Sequence, residues 1–91
     1  MNFEHLPGGA LVRQGLEDLA ARRETDAALL VLIGAPRLRR IGIDVRDTQE
    51  ARAEHRLYGR LARLDSGAAH SRYNALIRVL VSFERAAECV S

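Results

Sequence analysis

Ala27-Ala28-Leu29-Leu30-Val31-Leu32-Ile33 runs for seven residues without a polar side chain, and no other stretch of the chain matches it. A surface helix needs apolar residues on one stripe only. This run is apolar all round, so it is expected to be buried on nearly all sides, with the one-faced segments before and after wrapped about it. Seven apolar residues are also the length of a buried strand. Arg40–Val45 (Arg-Ile-Gly-Ile-Asp-Val) alternates and offers that strand a partner. The helical reading is preferred, because an isolated two-stranded sheet is marginal and the rest of the chain has helical period.

Working outward, Thr25 suits an N-cap, its hydroxyl accepting an orphan amide hydrogen, and Asp26 suits the positive end of the helix dipole. Gly34 reads as the stop, giving a helix over about Asp26–Ile33. Pro36 then opens a short helical turn, Pro36–Ile41, since proline is favoured at a first helical position. Leu38 and Ile41 point inward, Gly42 closes the turn, and Ile43 and Val45 cover the core edge from an extended connection. Upstream, residues 1–8 are a lead-in whose Phe3 and Leu6 tuck onto the core, ending in the turn Pro7-Gly8-Gly9. A helix over about Ala10–Arg23 carries Val12, Leu16 and Leu19 on one face, with Arg13, Gln14, Glu17 and Asp18 mainly on the other.

Downstream, Asp47-Thr48-Gln49-Glu50 resembles a capping box. It opens a helix over about Thr48–Leu64 with the stripe Ala53, Leu57, Leu61, Leu64. Asp65-Ser66-Gly67 is a tight turn. A last helix over about Ala68–Cys89 carries Tyr73, Leu76, Ile77, Leu80, Phe83 and Ala87 on one broad face. So short a turn makes these two an antiparallel hairpin, which brings Tyr58 level with Tyr73. The expected fold is all-α: a small single-domain bundle of four main helices plus a short helical turn, with a buried central helix and a C-terminal helical hairpin.

Composition sets the bounds. Ninety-one residues make one domain, burying roughly 60–65 % of its unfolded surface, which leaves little room for a deep pocket. With 47 % apolar and 29 % charged residues the chain is ordinary globular material rather than disordered. All 14 basic residues are Arg. Bidentate anion recognition favours Arg over Lys, but a bias spread over the whole chain fits GC-rich coding better and points to a bacterial source. One cysteine, Cys89, has no internal disulfide partner and no zinc or redox spacing. The N-terminus lacks the basic and apolar regions of a signal peptide, and no run approaches the roughly 20 apolar residues of a membrane span. A cytoplasmic protein is expected.

Charge is the most informative feature for function. Arg37–Arg63 holds eight Arg against four acids (Asp44, Asp47, Glu50, Glu54), whereas residues 1–36 hold three Arg against five acids and residues 64–91 three of each. Arg52, Arg56 and Arg60 stand four apart on one helical strip with Arg63 beside them, and no acid of the same helix lies three or four positions from any of them. Glu50, Glu54 and Tyr58 lie on the opposite flank. The strip has three readings: solvated and inert, paired with acids of the first helix or of another subunit, or in contact with the phosphates of a polyanion, where counterion release makes binding steeply salt-dependent. Aromatic residues are only 4 %, so stacking platforms for single strands are scarce. Arg37, Arg39 and Arg40 after Gly34-Ala35-Pro36 could form the second element of a helix-turn-helix, but that element is short and the helix before it is too apolar to cross a phosphate backbone openly.

His5, His55 and His70 do not cluster, and no metal-ligand spacing occurs. Asp65, Ser66, His70 and Ser71 are neighbours along the chain, but a triad is defined by spatial roles, and a helix cap explains the same residues. No catalytic, metal or cofactor-binding set is nominated, and an enzyme is not expected. The expected function is a small cytoplasmic protein-interaction module, with a protein partner or a second copy of itself. The alternative is nucleic-acid or other polyanion binding through Arg52, Arg56, Arg60 and Arg63, joined by Arg37, Arg39 and Arg40.

Overall fold

The computed structural model describes residues 3–45 and 52–90, and among them every regular element is a helix: α1 (Gly9–Ala20), α2 (Asp26–Ile41), α3 (Ala53–Leu64) and α4 (Ala69–Val90). The apolar run is helical, which rules out the strand alternative. Ala27 to Leu32 are all buried, and Leu29 and Val31 are inaccessible to solvent. Helix α2 touches each of the other three. On one side, Val31, Ala35, Leu38 and Ile41 pack with Val12 of α1, Phe83 and Ala87 of α4, Phe3, and the extended residues Ile43 and Val45. On the other, Leu29, Leu30 and Leu32 pack with Ala53, Leu57 and Leu61 of α3 and with Ala69 and Leu80 of α4. The body is flat, about 38 × 24 × 18 Å.

Thr25 caps α2 as its sequence implied: its Oγ1 accepts from the Ala28 N–H at 3.1 Å. Gly34 is not the stop. The expected helix 26–33 and the turn 36–41 are one helix that continues through Pro36. Proline inside a helix loses one backbone hydrogen bond and crowds the preceding turn. Here Pro36 itself faces solvent, while Ala35 and Leu38 are fully buried on either side, so core packing holds the helical path. The true end is Gly42, left-handed at φ 107°. The Gly42 N–H donates to Arg39 O and the Ile43 N–H to Leu38 O, a Schellman closure whose apolar contact joins Leu38 and Ile43 in one cluster.

Helix α1 ends three residues before the expected Arg23. It closes the same way, with Arg22 at φ 58° and N–H bonds from Arg22 to Leu19 O and from Arg23 to Asp18 O. The third helix begins at Ala53, and Arg52 before it is left-handed at φ 64°, while the rest of its expected start, residues 48–51, and the proposed capping box Asp47–Glu50 lie outside the described residues. The hairpin α3–α4 forms as expected, with Tyr58 and Tyr73 ring centroids 5.7 Å apart.

Gly15 sets the distance between α1 and α2. A Cβ there would come within 2.3 Å of Ala27 O and 2.5 Å of Val31 Cγ2, so the two helices approach more closely than any side chain permits. Gly59, inside α3, faces open space. The same substitution is therefore expected to act in opposite directions. In urea unfolding, Gly15→Ala should cost about 1–3 kcal/mol through overpacking, and Gly59→Ala should gain about 0.5–1 kcal/mol through helix propensity.

Candidate functional site

Of the seven arginines singled out from the sequence, Arg56 and Arg60 meet acids at or just before the start of α2, Arg37, Arg39 and Arg40 lie in its last turns, and most of the seven are already engaged. At the N-terminal end of α2, Arg60 Nε donates to Asp26 Oδ1 at 2.9 Å, and Arg56 Nη2 meets Glu24 Oε1 at 3.0 Å. Of the three readings of the strip, pairing with acids of other elements describes these two, although the acids come from the α1–α2 corner and the start of α2 rather than from α1. Arg52 and Arg63 are exposed and form no ion pair with any described residue. Since Arg52 precedes the helix in a left-handed conformation, the three Arg four apart do not form one continuous helical row.

At the C-terminal end of α2, Arg37 Nε donates to Glu88 Oε1 at 2.6 Å, and Arg37 Nη1 donates to Glu84 Oε1 at 3.4 Å. Arg39 Nε donates to Val45 O at 2.8 Å, tying the extended segment to the helix end. Arg40 is exposed, and its charge acts on both Glu84 and Glu88. There is no separate recognition helix here, since these residues form the last turns of α2 itself.

Asp18 was placed mainly on the polar side of the first helix, but it is buried. It organises the α1–α2 corner. Its Oδ1 accepts from Gln14 Nε2 at 2.9 Å and from Arg23 Nη2 at 2.8 Å, and its Oδ2 accepts from Thr25 Oγ1 at 2.6 Å. Thr25 in turn accepts from Ala28, so the carboxylate is linked through one hydroxyl to the cap of α2. The Thr25 and Arg23 hydrogen bonds hold the Asp18 carboxyl below the usual range, against the opposing effect of burial. The sequence signal was Asp-x₆-Thr spanning a helix end and the next cap, which is too generic to select.

On the hairpin, Tyr58 and Tyr73 form a tilted ring pair at an interplanar angle of 58°. Burial first, and then the neighbouring Glu54 carboxylate, push the Tyr73 hydroxyl pKa up. Tyr58 is 39 % exposed and Leu64, at the end of α3, is 72 % exposed. The neighbours suggestive of a triad are spread apart in role: Asp65 Oδ1 accepts from the Gly67 N–H, and His70 Nε2 faces Asn74 Nδ2. Among the described residues no group of three His, Cys, Asp or Glu side chains converges as a metal site. No described helix is long and apolar enough to cross a membrane. Comparison with family models, with curated proteins and with solved structures finds no match.

The Asp18 geometry has a definite pH signature. A carboxyl depressed below its unfolded pKa of about 3.9 contributes stability above that value and loses it as pH falls through the folded pKa. Asp18→Asn should lower the urea midpoint at neutral pH, and the gap from wild type should narrow as pH falls below the unfolded value of about 3.9.

Proposed function

We propose that the protein is a small, non-enzymatic interaction module of the bacterial cytoplasm that binds a protein partner through the outer side of the α3–α4 hairpin. The observation that carries this reading is the half-exposed Tyr58, held in a tilted ring contact with Tyr73, with the exposed Leu64 on the same hairpin. Tyrosine is enriched where binding energy concentrates, because it brings a large rigid surface with a polar tip. A ring already held by its neighbour loses little further freedom on docking. Small helical proteins also gain stability by association, so a second copy of the chain is the first partner to test.

Polyanion binding is supported less. Arg37, Arg56 and Arg60 would each have to give up a carboxylate to meet a phosphate, which leaves Arg52, just before α3, and Arg63 within it as cations with no ion pair among the described residues.

Photo-crosslinking from position 58, with a control probe at the exposed Ala10 of α1, tests the reading in cells expressing the chain. A discrete protein adduct from position 58 and none from position 10 is expected, with Leu64→Asp reducing its yield several-fold. Sedimentation then reveals whether the adduct is a second copy. No adduct from position 58, together with a monomeric mass, overturns the proposal. Binding to a short duplex that is abolished by Arg52→Glu with Arg63→Glu would replace it with the polyanion reading.

A further inference from the structure

Among the described residues two charged side chains are buried, Asp18 and Glu84, and they are compensated very unequally. Asp18 accepts from three side chains. Among the described residues Glu84 has a single ion-pair partner, Arg37 at 3.4 Å, whose Nε is committed to Glu88 at the shorter distance of 2.6 Å. Glu84 therefore shares one guanidinium with a second carboxylate, and holds the weaker part of it.

The seat of Glu84 is equally confined. Its Oε2 lies over Gly34 of α2, where a Cβ would come within 3.1 Å of that oxygen and 2.9 Å of Leu80 Cδ1. The carboxyl thus fills a notch that exists because residue 34 has no side chain, at the seam where α2 packs on α4. A lone ionised carboxylate in such a position is costly, whereas a neutral carboxyl is not. The charged groups that act on it are Arg37 and Arg40 of α2 and Glu88 of its own helix, with Arg85 acting on Glu88. The lead-in and the first residues of α1 meet α4 instead at Val79 and Phe83, and α3 meets it at Tyr73.

We propose that Glu84 is a proton-operated latch on the α2–α4 seam: neutral, it closes the Gly34 notch; ionised, it competes with Glu88 for Arg37 and loosens the packing of α4 on α2. Burial raises the Glu84 pKa, Glu88 adds to the rise, and Arg37 and Arg40 only partly oppose it. The sign is opposite to that of Asp18. A folded pKa above the unfolded value of about 4.3 means that the contribution is full below the unfolded pKa and is lost as pH rises through the folded one. The latch is independent of the hairpin reading, since its residues Gly34, Arg37, Glu84 and Glu88 include none of Tyr58, Leu64 and Tyr73.

Carboxyl carbon NMR of the wild-type protein tests it directly. The Glu84 Cδ is expected to titrate above the ordinary glutamate value of about 4.3, and the Gly34 amide shift should follow the Glu84 midpoint. Arg37→Gln should move that midpoint higher still. In thermal unfolding, Glu84→Gln should melt above wild type at neutral pH, and this advantage should disappear below the Glu84 midpoint. Titration of Glu84 at or below about 4.3, or a Gly34 amide that ignores the Glu84 midpoint, overturns the latch even if Glu84→Gln fails to fold.

Discussion

The constraint on which this structure depends is that the first half of α2, Ala27 to Ile33, is apolar on every side and must be covered on every side. A helix with a single apolar stripe is satisfied by one neighbour. Helix α2 needs three, and the chain supplies them in two groups: α1 with the lead-in and the 43–45 segment, and α3 with the first half of α4. Helix α4, the longest element at 22 residues, belongs to both groups, because Leu80 sits in one cluster and Phe83 in the other. The two cores are thereby joined along a single helix rather than only through α2.

Covering α2 this closely places demands on small residues and on polar ones. Gly15 lets α1 lie against Ala27 and Val31, and Gly34 makes room for Leu80 and Glu84. Each brings backbone and side chain near groups that must not be left without partners. At the corner Asp18 meets that demand through Gln14, Arg23 and Thr25, tying the end of α1 to the cap of α2. Buried carboxylates are tolerated when several donors converge on them and are costly otherwise. Asp18 and Glu84 show both cases in one small chain.

The all-α class, the central position of the apolar run, the Thr25 cap, the hairpin and the Tyr58–Tyr73 pair were legible because each rests on local pattern. What was misread depends on tertiary context. Gly34-Ala35-Pro36 has the composition of a helix stop, yet the packing of Ala35 and Leu38 carries α2 straight through it. Arg22 and Arg52 adopt left-handed backbone that glycine would favour, so nothing in their identity announces a helix boundary. Asp18 was assigned to the polar side from periodicity, and its burial follows from Thr25, seven residues on. For the candidate site, the arginine strip was visible, but its partners were not. Arg56 and Arg60 have no acid within reach on their own helix, and Glu24 and Asp26 become neighbours only when α3 folds back on α2. Glu84 was discernible in principle as a carboxylate inside the apolar stripe Leu80–Phe83–Ala87.

These pairings give the uneven charge distribution of the sequence a structural meaning. Helix α2 carries Asp26 at its start and Arg37, Arg39 and Arg40 near its end, the arrangement its dipole favours. Helix α3 answers the acidic end with Arg56 and Arg60, and α4 answers the basic end with Glu84 and Glu88. Exchanging the two covering helices, or reversing α2 beneath them, would set arginine against arginine and carboxylate against carboxylate. Partly exposed ion pairs add little stability individually. Apolar surfaces as uniform as that of α2 distinguish poorly between one register and the next, so the charges at its two ends are the features able to select a single arrangement. Much of the positive charge in the middle of the chain is accounted for by the orientation of the fold.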